Sequence, residues 1–111
     1  MSYQIKSRIW IESDEHVFLG EGRIQLLRAI AKEGSLSKAA KALKMSYKKA
    51  WKLIDAINVA APEPLVLTTS GGSGGGGSKI TPYGHKMIAT FEQINQNCWE
   101  FLDQQLEKHQ L

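Results

Sequence analysis

The chain has one cysteine, Cys98. No internal disulfide can form, and the reducing cytoplasm is the expected compartment. No apolar run approaches the roughly 18 residues needed to cross a bilayer, and the polar N-terminus lacks the charged-then-apolar order of a secretion signal, so no membrane association is expected. His16, His85 and His109 are scattered, with no pair at helical metal-site spacing, so no metal and no cofactor is expected. The serines fall at turns and caps, and no nucleophile elbow is visible. Gly72-Ser73-Gly74-Gly75-Gly76-Gly77 formally satisfies G-x-G-x-x-G, as any glycine run would. Ser78 parts the last glycine from Lys79, so the G-K-[ST] of a P-loop is missing too. Catalysis is thus the weakest function class, and the chain is not expected to be an enzyme.

What is present is charge, unevenly placed. The 111 residues suit one domain with a modest core, and the formal net charge is +3. From Lys32 to Lys52 seven lysines (32, 38, 41, 44, 48, 49 and 52) oppose Glu33 alone, a net of +6. From Phe91 to Leu111 the acids Glu92, Glu100, Asp103 and Glu107 oppose Lys108, a net of −3. Such segregation suits a protein that offers one face to a polyanion and keeps another face off it.

The lysine-rich region has the pattern of two helices joined by a tight turn. Ser35 or Ser37 can cap a short first helix, Ala39, Ala40 and Leu43 can pack inward, and Lys44-Met45 can make the bend. A second helix is expected over about 46–59, beginning at Ser46. Its Ala50, Leu53, Ile54 and Ile57 recur at i, i+3, i+4 and i+7 and gather on one face, leaving Tyr47, Lys48, Lys49 and Lys52 pointing elsewhere. Ahead of this pair, Arg23 to Lys32 predicts another helix, with Ile24, Leu27 and Ala31 on its stripe and Leu26 and Ile30 beside it. Gly34 can end that helix in a left-handed conformation.

The flanks predict a small amount of β-structure. Gln4 to Glu12 alternates, with Ile5, Ile9 and Ile11 on one side and Trp10 on the polar side; Asp14-Glu15 reads as a turn and Val17-Phe18-Leu19 as a short return strand. Pro62 and Pro64 stop the helix that ends near Asn58. Leu65 to Thr69 and Lys79 to Thr81 predict the two strands of a hairpin, whose glycine-rich tip could bring backbone amides close to a phosphate. Thr81-Pro82 then starts a long helix. On it Met87, Phe91, Ile94, Cys98 and Phe101 recur at helical steps, with Leu102 alongside. That seam is more apolar face than a small domain covers, so a homodimer is expected.

Together, Gly22-Arg23, Leu26-Leu27, Gly34-Ser35-Leu36-Ser37, Ala39-Ala40, Ser46-Tyr47-Lys48-Lys49-Ala50-Trp51, Ile54 to Asn58, the glycine loop and Ile80-Thr81-Pro82-Tyr83-Gly84 resemble one family along nearly the whole chain. The likeness is to the N-terminal DNA-binding domain of the molybdate-responsive ModE regulators, related in turn to the LysR-type winged helix. It implies a mainly α fold with small β: a winged helix-turn-helix domain over residues 1–81, with its wing at 65–81, and a dimerisation helix over 82–111. Nothing in the chain resembles the family's molybdate-binding domains, so direct molybdate binding is not expected. The wing departs from the family as well, with Ser73 where a basic residue is common and Leu67 where an arginine can precede the tip.

The expected partner is double-stranded DNA. Ser46, Tyr47, Lys48 and Lys49 would read bases in the major groove and Lys52 would lie nearer phosphates. Ser35, Ser37 and Lys38 would hold the backbone, and Gly74, Gly75 and Lys79 would supply the wing contact. Trp51 either touches the duplex or props the wing. A small protein-interaction module and a non-specific architectural DNA binder are the alternatives.

Overall fold

The computed structural model describes residues 1–69 and 77–111. Chain order is β1 (Trp10–Ser13), β2 (His16–Gly20), α1 (Glu21–Glu33), α2 (Leu36–Ala42), α3 (Tyr47–Val59), β3 (Val66–Thr68), β4 (Ser78–Ile80) and α4 (Pro82–Lys108). This is the expected arrangement: a helix-turn-helix, a β-hairpin beside it, and a long last helix.

The N-terminal strand is shorter than the alternation of Gln4 to Glu12 predicts. β1 pairs antiparallel with β2 from Trp10↔Gly20 to Ser13↔His16, through a turn in which Asp14 and Glu15 both take positive φ. A bulge falls between Ile11 and Glu12. Strand length is set by the partner, and β2 offers only His16 to Gly20 for pairing. Residues before Trp10 instead run without strand pairing, although Ile9 still packs against the core.

Helix ends follow local chemistry closely. Gly34 at φ 76° ends α1 and donates its N–H to the Ile30 carbonyl at 2.8 Å. Ser35 caps α2 by accepting from the Lys38 N–H at 3.0 Å, and Ser46 caps α3 by accepting from the Lys49 N–H at 3.1 Å. Lys44 adopts φ 57° in the bend between these helices, where the Met45 N–H reaches back to the Ala40 carbonyl.

The core lies among α1, α2, α3, the wing root and the first turns of α4. Leu19, Leu26, Leu27, Ile30, Ile57 and Leu65 are its fully buried large side chains. The buried stripe of α1 is Ile24, Leu26, Leu27 and Ile30; Ala31, expected on it, is exposed, because α2 packs on the side that Leu27 and Ile30 face. Gly84 marks where α4 meets the wing root. A Cβ there would overlap the Leu65 carbonyl oxygen and the Ile80 side chain, so only glycine permits this approach. Thr81 completes the joint by accepting from the Gly84 N–H at 2.9 Å while its hydroxyl donates to the Pro64 carbonyl at 2.8 Å.

Candidate nucleic-acid interface

The capped start of α3 puts charge on the surface by packing its opposite side inward. Ala50, Ile54 and Ile57 are buried, so Tyr47, Lys48, Lys49, Trp51 and Lys52 stay outside. Tyr47 is 56% and Trp51 51% exposed. Among the described residues one ion pair is found, between Arg28 and Glu92. None of the α3 lysines therefore forms an ion pair with a described acid.

Two flanks frame this face. Tyr47, Trp51 and Asn58 share one stripe of α3 by their spacing. Asn58 joins that stripe to the wing: its Oδ1 accepts from the N–H groups of Leu65 at 2.9 Å and Val66 at 3.2 Å, and its Nδ2 donates to the Val66 carbonyl at 2.9 Å. The wing is anchored at a second place, where the Ser78 N–H donates to the Gly34 carbonyl at 2.9 Å, beside the Ser35 cap of α2. β3 and β4 pair in the register Val66↔Ile80, Leu67↔Lys79 and Thr68↔Ser78, with Leu67 and Lys79 exposed.

On the other flank, a cavity of about 480 Å³ is lined by Arg23, Ser46, Lys48, Lys49, Lys52, Leu53 and Ala56. Burial lowers the Arg23 guanidinium from its ordinary value, yet an arginine remains cationic at neutral pH. A second cavity of about 410 Å³ adjoins it, bordered by Arg8, Trp10, Val17 and Glu21 and sharing Arg23, Lys49 and Leu53 with the first. Trp10 is half exposed there and donates its indole N–H to the Glu12 carboxylate at 2.8 Å.

The predicted residues distribute as follows. Ser37, Lys38, Ser46, Tyr47, Lys48, Lys49, Lys52 and Lys79 are exposed, and Ser35 is half-buried, with its hydroxyl engaged as a cap. Gly74 and Gly75 lie outside the described residues. Arg23 escaped the reading from composition because it stands apart from the lysine run, and only the fold brings it to α3. Asn58 was legible as part of a motif, but its three bonds to the wing root were not.

The seam expected to make the dimer divides in two. Phe91 is only 3% exposed and Met87 packs against the same core, so the first turns of α4 are covered by the chain itself. Cys98 and Leu102 are half-buried, with the Ser7 hydroxyl 3.5 Å from the Cys98 thiol. Ile94 and Phe101 are 45% and 57% exposed. Among the described residues no cluster of three metal-ligating side chains occurs and no helix is long and apolar enough to cross a membrane.

Comparison with known proteins accords with this geometry. The model of the bacterial regulatory helix-turn-helix proteins of the lysR family matches residues 22–85. The molybdenum transport protein ModE of Azotobacter vinelandii is 40% identical over 102 residues, covering 92% of this chain and 38% of that protein. The DNA-binding transcriptional dual regulator ModE of Escherichia coli K12 is 35% identical over 102 residues, covering 89% of this chain and 39% of its own length. The molybdenum-pterin-binding protein MopB of Rhodobacter capsulatus is 42% identical over 76 residues, 68% of this chain and 28% of that protein. The chain thus spans no more than about two fifths of these curated relatives. With the matched segment running from the start of α1 into α4 and enclosing both the helix-turn-helix and the wing, the chain belongs to the lysR family of bacterial regulatory helix-turn-helix proteins.

Proposed function

We propose that this chain is the double-stranded DNA-binding, dimer-forming part of a ModE-like transcriptional regulator. The observation that carries the reading is the exposed first half of α3, whose Lys48, Lys49 and Lys52 find no described acid partner while its other side is locked into the core. An α-helix fits the major groove, and lysines near its start can donate to guanine O6 and N7. Tyr47 and Ser46 accompany them at the base edges. Ser35, Ser37, Lys38 and Lys52 position the backbone, with Lys79 and the wing glycines Gly74 and Gly75 reaching the neighbouring phosphates.

Residues 1–81 form the reading unit, and 82–111 supply the helix that joins two copies. Ile94, Phe101 and Leu102, with Cys98 at the edge, offer the apolar contact; Met87 and Phe91 support it from inside the core. Two-fold symmetry would set the reading helices about 34 Å apart, on successive major grooves of a palindromic or pseudo-palindromic site. The protein works in the cytoplasm, without a catalytic step. The relatives' names refer to molybdenum, but the proposal gives residues 1–111 no molybdate-binding role.

Titration of labelled duplex over a series of salt concentrations tests the reading. Affinity is expected to fall linearly on a log–log plot, by about 0.9 in slope for each phosphate neutralised. A flat response sinks the proposal. Equal affinity for cognate and scrambled duplexes would move it to the architectural alternative.

A further inference from the structure

We propose that Arg23 is a phosphate ligand for the DNA backbone, carrying the basic interface off α3 and across the first turn of α1 toward Arg8. This inference rests on the DNA-binding reading above and names a contact outside the two helices of the motif.

One buried donor of the α1 start has no partner. Among the described residues, Arg23 Nη1 is the one buried side-chain nitrogen or oxygen without a hydrogen-bond partner. Buried polar atoms are nearly always paired, and a guanidinium donor left unmatched calls for a reason. No described acid forms an ion pair with Arg23. Glu21, at the rim of the adjoining cavity, is the one acid among the residues lining the two cavities.

The surroundings match an oxyanion. Lys48, Lys49 and Lys52 line the first cavity with Arg23, Arg8 borders the second, and Arg23 and Lys49 belong to both. The two cavities are therefore neighbours, and their combined lining holds five cations, Arg8, Arg23, Lys48, Lys49 and Lys52, against Glu21 alone. A guanidinium lining such a cluster can hold a phosphate by charge-assisted N–H bonds, and Nη1, shielded from solvent in the free chain, would join them by a rotation of the side chain. A packing role for the arginine stem against Leu53 is the competing account, and it makes different demands.

Arg23→Met separates the two accounts, since methionine keeps an unbranched stem and removes only the charge and donors. The expected result is an unchanged or higher melting temperature together with a loss of about 0.9 in the log–log salt slope. Weakening should be equal on cognate and scrambled duplexes, because phosphates carry no sequence information. Arg8→Gln should lower the slope by no more than Arg23→Met does. Wild-type affinity and slope in Arg23→Met overturn the inference, whether or not the melting temperature falls. Wild-type protein without salt-dependent DNA binding would instead remove the underlying reading.

Calorimetric titration with inorganic phosphate and with molybdate distinguishes the backbone from a free oxyanion. Absence of saturable binding by wild-type protein, with the duplex defect present, supports the backbone assignment. Saturable anion binding lost in Arg23→Met, with duplex affinity untouched, overturns it.

Discussion

The helix-turn-helix and the outer half of α4 are both amphipathic, and they solve opposite problems. α3 buries Ala50, Ile54 and Ile57 and leaves lysines outside. Beyond Phe91, α4 leaves Ile94 and Phe101 outside, while the acids of residues 91–111 outnumber the bases. What each region exposes differs in kind: lysines with no described acid partner, which suit a polyanion, in the first case and apolar side chains, which suit an apolar surface, in the second. The difference teaches that one small fold can present two surfaces of unlike chemistry: on the proposed reading the lysines of α3 attract a duplex that the acids of α4 would repel, and the apolar side chains of α4 attract a second copy.

The strongest way to break this contrast is to remove the charge from one side. Changing Lys48 and Lys49 together to alanine should weaken duplex binding by about 2–4 kcal/mol, read by fluorescence anisotropy, with the circular dichroism spectrum unaltered. Undiminished binding would show that α3 is not the reading helix. On the other side, Ile94→Asp with Phe101→Asp should weaken self-association by about 2–3 kcal/mol in sedimentation equilibrium. Each half-site should still bind, more weakly; a dimer as tight as wild type would mean that α4 does not join the copies.

Gly84→Ala acts at the junction of the two regions. The new methyl group would collide with the Leu65 carbonyl, so a loss of about 1–3 kcal/mol in chemical denaturation is expected. An unchanged midpoint would mean that the joint yields freely. The smallest effect is expected from Ser46→Ala, which deletes the cap of α3 and should cost about 1 kcal/mol of stability. Lys48 and Lys49 stand on the turn it frays, so DNA affinity should drop as well, whereas self-association should not.

Much of this architecture was legible because it is written in short-range chemistry. Ser35 as a cap, Ser46 as the start of a helix, Gly34 as a left-handed stop, Pro62 and Pro64 as breakers and the i, i+3, i+4, i+7 run of α3 each act over a turn or two of chain. The features that escaped depend on what the chain meets after folding. The strand from Gln4 lost its first half for want of a partner longer than β2, and Ala31 left the stripe because of where α2 lies. Phe91 has the same periodicity as Ile94 and Phe101, and only its position opposite α1 puts it in the core. Arg23 entered the sequence reading only as the first residue of a helix and part of a motif, without a role. Its interest lies in an unmatched donor, which a sequence cannot display.

The Asn58 amide holds the wing root to the end of α3, and the Gly34 carbonyl holds β4 to the corner before α2. Fastened twice, the described hairpin strands and α3 are joined like the arms of a calliper. On the DNA-binding reading proposed above, a duplex whose groove width suits their gape would bind without bending, whereas one that does not would distort at its own expense, so the chain should discriminate among base steps it never touches. Altering untouched central base pairs between A·T-rich and G·C-rich runs would reveal that preference, and Asn58→Ala, by loosening one arm, should dull it.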